Sequence, residues 1–477
     1  MTNVKTKLLI IFGIIGVIYM IIHEPIRILD AVTLLPVKDF DLSISIWRII
    51  FEPIVGPMLF YLRAGNPVEE FFMLFIWIII AAFILSLIRK ISRHSIRKRL
   101  LKWVAMIPIA FSVWLAVLLM MIFAPLPSNR IANHNPDLIL LGTHSHTHYS
   151  HDGLISQRDM KDWHENNGFD AFFITDHNHH EQTLKFIERQ RQGKVSPDPL
   201  ILCGEEFSGS NHILLLGFER NTITKGFTDE EAIDAIHDQS GSAIVAHWFE
   251  GERNSIQFYI DKGVDGFEIA NQNDVFYPER VHKAIVQNCV DDDLLMIGSS
   301  DYHGYGTACF TWNALKIPGW HEMDYDDKTQ SIMSIFRGHE QEKIQVIIYR
   351  DRSLIPKGQM VVSPLYFIYY YFRGLTVIQL FSWLIWIVIM IQLTNRRNTC
   401  KLCMYLKNHF LIRYGILGGI GSFILIATGL MLLAKVEGLG AYNDIHQEYG
   451  APITLIGVGI FVYSLILMLI ANKTQKK

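Results

Sequence analysis

The sequence predicts an α/β domain, built as a parallel barrel of the TIM type or a distorted relative of it, inserted between two groups of three transmembrane helices. Between about 137 and 350, short apolar runs alternate with amphipathic stretches, as in sheets whose parallel strands are joined by helices. Apolar stretches near the ~20 residues that a membrane-crossing helix needs flank this region on both sides. We therefore divide the chain into an N-terminal transmembrane region, a soluble domain and a C-terminal transmembrane region, at 1–129, 130–360 and 361–477.

Composition argues against a single soluble globule. Half of the 477 residues are hydrophobic, and the formal net charge is only −3. The mean hydropathy is positive, at +0.23. The five cysteines do not suggest a disulfide framework, and Cys400 and Cys403 form a single C-x-x-C that supplies half a zinc site, for which chance spacing is the preferred interpretation. The chain is long enough for a membrane part and a soluble domain together.

Six apolar stretches are candidate membrane spans. The segment 41–63 is also apolar, but Arg48, Glu52, Pro53 and Gly56 interrupt it, so we predict an interfacial or re-entrant segment; a seventh full crossing would invert everything that follows it. The amino terminus has a basic start and an apolar core without a small-residue cleavage site, which predicts an uncleaved anchor. The six predicted spans are 7–23, 69–89, 103–124, 374–394, 411–434 and 451–471.

Basic residues predict the orientation of these spans. The segments "RKISRHSIRKRLLK", 89–102, and "NRRNTCKLCMYLK", 395–407, are strongly basic, and both chain ends carry lysines. With six spans all four sites fall on one side, which the positive-inside rule makes cytoplasmic. We therefore expect a multi-pass integral membrane protein with an extracytoplasmic soluble domain. The alternative is that the basic loops are solvated charge runs without topological meaning.

Seven apolar runs in the soluble domain predict strands. Several are apolar at nearly every position, as buried parallel strands are. Helices are predicted between them at 157–167, 181–192 and 228–239, the last opening with Thr228 and Glu231 in capping-box spacing. In order, the predicted strands are "DLILLGT", "FDAFFIT", "PLILCGEE", "NHILLLGF", "SAIVAH", "VDGFEIA" and "LLMIGSS".

Histidines and carboxylates recur at the carboxyl ends of these runs, which is the rim where barrels of this kind keep their active sites. A single histidine near a strand end is more often structural than a ligand, so the prediction depends on the accumulation. Imidazoles combined with carboxylates suit zinc, manganese or iron, whereas calcium or magnesium prefer oxygen ligands alone. The residues at strand ends are His144, His146, Asp176, His177, Glu206, His247, Asp301 and His303.

Five ordered motifs, "HSHTHYSHDG", "FFITDHN", "CGEEFSGSNHILLLG", "AIVAHW" and "IGSSDYHG", resemble those of the PHP domain family, named for polymerase and histidinol phosphatase. The resemblance implies a distorted (β/α)7 barrel, TIM-like, that uses two or three divalent metal ions to hydrolyse phosphoesters. It implies three ligand groups. The first group is His144, His146 and Asp301; the second is His212 and His247, with Glu206 bridging the first and second; the third is Asp152, His177 and His303.

Some assignments within this set left a choice. Glu206 is preferred to Glu205 because the family pattern is Gly-x-Glu and Gly204 sets the register. The family's first aspartate is replaced here by Gly142, which puts in doubt any role of that carboxylate in orienting a ligand. One residue is also inserted before Gly153, so that either His151 or Asp152 could reach the third metal, and Asp152 is favoured because the glycine follows it.

Other residues near the motifs have weaker claims. Exposure is the expected state of His148, His179 and His180, with support of a ligand or contact with substrate as alternatives. Glu268 could position a ligand or be an ordinary rim carboxylate. Trp248 is expected to wall the pocket. The catalytic candidates are Glu206, Asp301 and Asp176, the last as a proton shuttle or as support for its neighbours.

The predicted function is a membrane-anchored, metal-dependent phosphoesterase in which two bridged cations lower the pKa of a water to give hydroxide. No side-chain nucleophile is required, and the soluble domain carries no G-x-S-x-G, P-loop or Rossmann motif. Hydrolysis of an amide, carbamate or carboxylic ester, and a non-catalytic sensor or permease, are the alternatives.

The expected partners are a phosphoester substrate and the lipid bilayer, with no nucleic acid. The substrate could be lipid-linked, because the aromatic segment "SPLYFIYYYFRG", 363–374, suits an interface, although an ordinary aromatic belt explains it better. The substrate, the native metal and the oligomeric state cannot be named from the sequence.

Overall fold

The structure is a computed structural model of the chain and describes residues 2–64, 66–88, 93–248, 254–272, 279–352, 357–397, 410–436 and 445–475. Within these ranges the strands are β1 (Arg27–Asp30), β2 (Phe40–Ile44), β3 (Asn129–Asn133), β4 (Leu138–Gly142), β5 (Ala171–Ile174), β6 (Leu200–Ser208), β7 (His212–Leu216), β8 (Ser242–Val245), β9 (Gly266–Asn271), β10 (Leu295–Ser299), β11 (Thr311–Lys316) and β12 (Ile344–Arg350).

The helices of the same ranges are α1 (Thr2–Ile22), α2 (Ile46–Ile50), α3 (Glu52–Leu62), α4 (Pro67–Ile88), α5 (Arg93–Phe123), α6 (Gln157–Asn166), α7 (Glu181–Arg191), α8 (Asp229–His237), α9 (Ile256–Asp261), α10 (Glu279–Asp291), α11 (Tyr325–Arg337), α12 (Ser363–Gly374), α13 (Val377–Arg397), α14 (Phe410–Val436) and α15 (Ile445–Gln475).

One curled sheet of ten strands forms the soluble domain, in the order β1-β12-β11-β4-β5-β6-β7-β8-β9-β10. The seven predicted strands are confirmed as β4 to β10. The side chain of Asn313 on β11 links the two sides of the curl, because its amide donates to Leu141 O of β4 at 3.0 Å and to Gly298 O of β10 at 2.7 Å. These bonds bring β10 next to β4, so the sheet approaches a barrel.

The sequence predicted a parallel sheet, and this prediction was wrong for part of the sheet. Strand β7 runs antiparallel to both β6 and β8, because the short connection from Ser208 to His212 permits a hairpin but not a crossover. The reversal has a consequence for the rim. His212 opens its strand, yet it lies at the same end of the sheet as Glu206, which stands near the close of β6.

Packing separates the two ends of the sheet. Leu200 and Leu202, at the start of β6, are buried in one apolar cluster with Ile332 and Phe336 of α11. Since α11 covers the end where β6 begins, the opposite end of the sheet is left for polar side chains.

The three predicted helices are confirmed as α6, α7 and α8. The N-cap Thr228 of α8 completes the predicted capping box.

Four described helices are long and apolar enough to cross a membrane: Pro67–Leu85, Trp103–Phe123, Leu411–Val436 and Ile445–Lys473. They correspond to four of the six predicted spans. The predicted span 7–23 is helical in α1, of which Phe12–Ile22 is a shorter apolar stretch. The predicted span 374–394 corresponds to α13, which is bent by 116° against the helix before it; the count becomes five if that bent pair is one span.

The segment 41–63 does not form a single helix. It holds β2, α2 and α3 in succession, and its interrupting residue Glu52 is fully buried. Strand β1 also lies within the predicted N-terminal region 1–129 but pairs with β12 of the soluble domain. The domain boundaries stay predictions, and the chain between α1 and α3 connects the two parts.

The long helices present apolar side chains outward. Phe423 and Leu455 are more than two-thirds exposed, at 72% and 71%. Such exposed apolar side chains suit a lipid environment better than water. Helices α14 and α15 pack closely through small residues, since a Cβ at Gly429 would lie 2.8 Å from Gly450 O, a packing typical of membrane helices. Residues 89–92 and 398–407 of the basic segments, with Cys400 and Cys403, lie outside the described residues.

Candidate metal centre

The nine predicted ligand side chains meet at one end of the curled sheet. Segments that follow β4, β5, β8 and β10 supply most of them, while Glu206 lies in β6 and His212 opens β7. Backbone contacts draw the segments together: His146 N donates to Tyr302 O at 2.8 Å, and His177 forms a bridge with Glu206. The arrangement therefore follows from the strand order.

The first ligand group has the spacing of a metal site. His144 Nε2 lies 2.9 Å from His146 Nε2, 3.1 Å from Glu206 Oε2 and 3.2 Å from Asp301 Oδ1. His146 Nε2 lies 3.0 Å from the same Glu206 oxygen and 3.3 Å from the same Asp301 oxygen. Ligands of a tetrahedral ion at ~2.0 Å are about 3.3 Å apart, so these four atoms fit a zinc-sized cation.

The Glu206 carboxylate divides its oxygens between ligand groups. Oε1 lies 2.7 Å from His212 Nδ1 and 3.0 Å from His247 Nε2, which form the second group. Oε2 faces the first group and also lies 3.3 Å from His177 Nε2. A carboxylate that bridges two cations would need one oxygen facing each ligand group, as Glu206 has here. Glu206 is buried, whereas the His212 side chain is 38% exposed, so the second group faces the open side.

The third ligand group gathers around Asp152. Its Oδ2 lies 3.0 Å from His303 Nε2 and 3.3 Å from His177 Nε2. Ser150 donates to its other oxygen, Oδ1, at 2.6 Å. His151, the alternative left open by the sequence, lies 3.9 Å from Asp152 with a side chain that is 64% exposed. The structure thus brings Asp152, rather than His151, into the cluster.

Three overlapping sets of ligand atoms converge closely enough to hold ions. Their donors are imidazole nitrogens mixed with carboxylate oxygens, which fits the borderline divalent metals predicted from the sequence. The sets are His144, His146, Glu206 and Asp301; His146, Asp152 and His177; and His177, Glu206 and His212.

The neighbouring carboxylate Glu205 faces the other side of β6. Its Oε2 lies 2.5 Å from His180 Nδ1, and its Oε1 accepts a hydrogen bond from Thr224. Successive side chains of a strand point to opposite faces, so only Glu206 can face the cluster. The expectation that His180 is exposed was wrong, because this buried pairing with Glu205 encloses it. His148 and His179 are partly buried.

Glu268 supports the first ligand group from outside. Its Oε1 lies 2.8 Å from His144 Nδ1, and its Oε2 accepts from the backbone N–H of His247 at 2.9 Å and from Asn271 Nδ2 at 3.1 Å. A carboxylate on Nδ1 keeps the proton there when the ring is neutral, which turns the Nε2 lone pair towards the ligand group. Of the two roles considered for Glu268, the structure favours positioning.

Replacing Glu268 by Gln is expected to weaken metal affinity about 10- to 100-fold, because the amide holds the His144 ring less firmly. Metal titration of the purified chain, followed by calorimetry, measures the change. The matched control is Glu219→Gln, which makes the same chemical change at an exposed residue after β7, remote from the cluster, and should bind metal as the native chain does. Unchanged affinity in Glu268→Gln would contradict the positioning role.

Of the two roles considered for Asp176, proton shuttle or support for its neighbours, its contacts favour support. It is fully buried, and its carboxylate accepts from the Thr147 backbone N–H at 2.5 Å and from the Thr147 hydroxyl at 2.7 Å. Burial raises the pKa of Asp176 to about 6. These contacts fix the turn that follows His146, so Asp176 acts on the site through the backbone of that turn.

Several polar supports were not identified from the sequence. Ser208 Oγ lies 3.1 Å from His177 Nδ1, and Asn271 Nδ2 lies 3.4 Å from Asp301 Oδ2. His303 Nδ1 lies 2.8 Å from the backbone carbonyl of Asp301. Ser208 is two residues beyond Glu206 in the same strand, and this i, i+2 spacing was the signal that could have indicated it. Trp248, expected to wall the pocket, packs on the apolar core and donates to Asn254 O.

Two of the predicted ligands have unusual backbone conformations. His247 and Asp301 have φ of 27° and 44°, in the region that side chains rarely adopt, and such conformations are concentrated at functional sites. Close approach also explains Gly153, since a Cβ there would lie 2.0 Å from Thr147 O. The loop that carries Asp152 can therefore close only with glycine at this position.

His164 occupies the space beside Gly142. A Cβ at Gly142 would lie 3.0 Å from His164 Nε2. The imidazole stacks on Phe172 with ring centroids 3.9 Å apart, and its Nδ1 lies 2.9 Å from Met160 O. Burial lowers the pKa of His164 to about 3, so a neutral ring fills this position instead of a charged carboxylate.

Charge pairing controls protonation of the cluster. Burial alone would lower the pKa of His144, but the carboxylates of Asp301, Glu206 and Glu268 outweigh it and raise the pKa to about 10. Burial would raise the pKa of Glu206 and of Asp301, yet the imidazoles hold both well below the usual range. Metal ligation requires neutral imidazoles, so metal uptake should release protons and weaken as pH falls.

The metal centre lies beside the ends of the apolar helices. Leu154, between Asp152 and α6, donates its N–H to His303 O at 2.8 Å. Its side chain is buried with Leu119 of α5 and with Leu425, Leu432 and Ile453 of α14 and α15. Gly306 N, shortly after His303, donates to Ile122 O of α5 at 2.8 Å. The loops that carry the third ligand group therefore rest on three of the long helices.

Residues 142–238 match the family model of the PHP domain. The matched PHP segment contains the predicted ligands from His144 to His212 and ends before His247, Asp301 and His303. It covers the part of the chain in which three of the five motifs occur. No curated protein matches this chain.

Three solved structures show limited likeness. A two-domain protein from Bacteroides vulgatus, containing a predicted PHP-like metal-dependent phosphoesterase, is 16% identical over 44% of this chain and 65% of its own, with a TM-score of 0.34. PsfC from Pseudomonas syringae is 15% identical, covering 49% and 98% of the two chains, with a TM-score of 0.34. An amidohydrolase from Chromobacterium violaceum, with bound sulfate and no metal, is 12% identical over 39% and 96%, with a TM-score of 0.28.

This chain spans about 65% of the length of the Bacteroides protein. All three likenesses are distant.

Proposed function

We propose that this chain is a membrane-anchored, metal-dependent phosphoesterase of the PHP type, acting on a phosphoester outside the cytoplasm. The observation that carries the proposal is the division of the Glu206 oxygens between two groups of imidazoles, Oε2 towards His144 and His146 and Oε1 towards His212 and His247. The match of residues 142–238 to the PHP domain supports the same reaction class.

When bound, the divalent ions would supply Lewis acidity, a water of lowered pKa and neutralisation of phosphoryl oxygens. Glu206 would keep the first and second ligand groups at a fixed separation. Glu268 would hold the ring of His144, and Ser150 would hold the carboxylate of Asp152. Asp176 would fix the turn after His146 through Thr147. Each of these residues has its contacts in place before substrate arrives, which is the preorganisation that catalysis of this kind requires.

The reaction class is tested by incubating the purified full chain with manganese, zinc or iron(II) and a panel of phosphomonoesters and phosphodiesters, extended to amides, carbamates and carboxylic esters. Release of phosphate or alcohol from a phosphoester, lost in the double variant His144→Ala, His146→Ala, is expected. Turnover restricted to amides or carboxylic esters would replace the proposed substrate class. Metal uptake with no turnover of any substrate would favour a sensor.

Helix direction supports the proposed orientation. Helices α5 and α14 end beside the soluble domain, and α15 begins there, as the contacts of Ile122, Lys435 and Ile445 require. A helix of 31 residues, such as α5, is about 46 Å long. The basic start of α5, 93–102, and Lys473 near the end of α15 therefore lie at the end remote from the domain, where the positive-inside rule expects cytoplasm.

Thiol labelling of intact cells is expected to separate the two sides. An exposed cysteine introduced as Lys194→Cys should react with a membrane-impermeant maleimide, while Cys400 and Cys403 should react only after permeabilisation. The native thiols of the soluble domain are buried and provide a low background. Labelling of Cys400 and Cys403 in intact cells, abolished in a Cys400→Ser, Cys403→Ser variant, would reverse the proposed orientation.

A further inference from the structure

A buried arginine lies far from the metal centre's ligand groups along the chain, in the segment that joins the helices to the sheet. Arg48 is 3% exposed, and its Nε and Nη2 lie 2.7 Å and 3.4 Å from the two oxygens of Glu52. Its Nη1 is buried without a hydrogen-bond partner among the residues that the structure describes. An unsatisfied buried donor is unfavourable by about 1–3 kcal/mol, and it is rare enough to suggest an absent ligand.

Glu52 cannot take up the remaining donor, because its carboxylate is already crowded. Tyr371 donates its hydroxyl to Oε1 at 2.7 Å, and Gln379 donates its amide to Oε2 at 2.9 Å. Both donors come from the bent pair of helices α12 and α13. The two helices therefore enclose the Arg48–Glu52 pair, and Nη1 is the donor of Arg48 that remains available.

Arg48 lines a cavity of about 410 Å³ where the soluble domain meets the helices. Arg63 lines the same cavity, and it pairs with Asp351 through a 2.7 Å contact. Arg352 also pairs with Asp351 at 2.8 Å, so the three arginines are matched by two carboxylates, Glu52 and Asp351. Asp41 stands at the mouth with an 81% exposed side chain. The cavity interior thus offers guanidinium donors suited to an anion such as a phosphate.

An apolar groove between α3 and α13 adjoins this cavity. The groove is lined by Pro53 and Ile54, directly after Glu52 on α3, and by Trp383, Trp386, Ile387 and Met390 of α13. From Gln379, which lines the cavity, to Met390 the helix advances roughly 16 Å, about half the ~30 Å thickness of a hydrocarbon core. An anion site at one end of an apolar groove of this length matches an amphiphile, and tryptophans are common at the level of lipid headgroups.

We propose that the cavity at Arg48 and the groove along α13 form one binding site for a membrane phospholipid with an anionic headgroup. The headgroup phosphate accepts hydrogen bonds from Arg48 and Arg63, and one acyl chain lies against Trp386 and Ile387. The site is separate from the metal centre and does not depend on the proposed hydrolysis.

Native mass spectrometry of the full chain, delipidated in a nonionic detergent, tests the proposal. With dioleoyl phosphatidylglycerol as probe, one lipid per chain should be retained, at a concentration where dioleoyl phosphatidylcholine is not. Arg48→Gln should weaken retention at least tenfold by removing the guanidinium. Ile387→Trp should have a similar effect by filling the groove, while the matched control Ile385→Trp, on the exposed side of the same helix, should bind as the native chain does.

Equal retention of the two lipids would overturn the proposal, and so would native affinity in Ile387→Trp. Displacement of the phosphatidylglycerol by equimolar inorganic phosphate would show a free-anion site and would also overturn it. If Arg48→Gln does not fold, the comparison of Ile387→Trp with Ile385→Trp decides alone. Retention is counted without metal and without turnover, so these outcomes are independent of whether the chain hydrolyses phosphoesters.

Discussion

Replacing Glu206 by Gln is expected to lower kcat/KM for phosphoester hydrolysis by at least about a thousandfold, equivalent to about 4 kcal/mol of transition-state stabilisation. The amide removes the negative charge and turns one of the two bridging oxygens into an NH2 group, which cannot bind a cation. Both imidazole groups that face Glu206 would lose a shared ligand. Metal content by mass spectrometry of the purified variant should fall together with the activity.

Glu205→Gln is the matched control, because it makes the same chemical change one residue earlier in the same strand. Glu205 faces His180 and Thr224 rather than the cluster, so this variant should lose stability but keep its metal content. Comparable metal and activity losses in both variants would indicate a general disturbance of β6 and would contradict the bridging role of Glu206.

Removing the metal ions is expected to lower the thermal stability of the soluble domain. A ligand that binds only the folded state at 1,000 times its Kd stabilises that state by about 4 kcal/mol. The cluster offers such a site because its ligands come from segments far apart in the chain, which are separated when the domain unfolds. Tryptophan fluorescence during heating, with a chelator and after addition of excess manganese or zinc, measures the shift in Tm.

The double variant His144→Ala, His146→Ala provides the reference for this experiment. It lacks two ligands of the first group and should show a much smaller difference between chelated and metal-supplemented samples. An equal shift in variant and native chain would place the stabilising ions elsewhere. No shift in the native chain, at metal concentrations that restore activity, would contradict the coupling of metal binding to folding.

The positions of the strands were predictable from the sequence where apolar runs are long and separated by helices, as in the segments of β4, β5 and β6. The direction of β7 was not, because hydrophobicity carries no information about strand direction and only the short turn before His212 indicated a hairpin. The α12–α13 bend was missed for a similar reason. Its apolar composition satisfies the criterion for a span, while the break near Gly374 becomes visible only in the path of the backbone.

Within the candidate site, the resemblance to the PHP motifs was the most informative signal. The Gly-x-Glu pattern, with Gly204 setting the register, selected Glu206 over Glu205, and the glycine after Asp152 favoured it over His151. Asp176 shows the limit of such reasoning, since its position at a strand end gave no indication that both oxygens bind Thr147. His180 shows the same limit, because a buried histidine paired with a carboxylate has no distinct local pattern.

In the proposed membrane-anchored protein, the packing of Leu154 among α5, α14 and α15 would couple the loops of Asp152 and His303 to the surrounding lipid. Helices tilt when the hydrocarbon thickness of their host bilayer changes, and a tilt of these three would move the loop that joins Asp152 to the backbone of His303. The spacing of Asp152 and His303 would then depend partly on the surrounding acyl chains. A thinner or thicker membrane should therefore change the turnover number of the same polypeptide, so that its activity would depend on bilayer thickness.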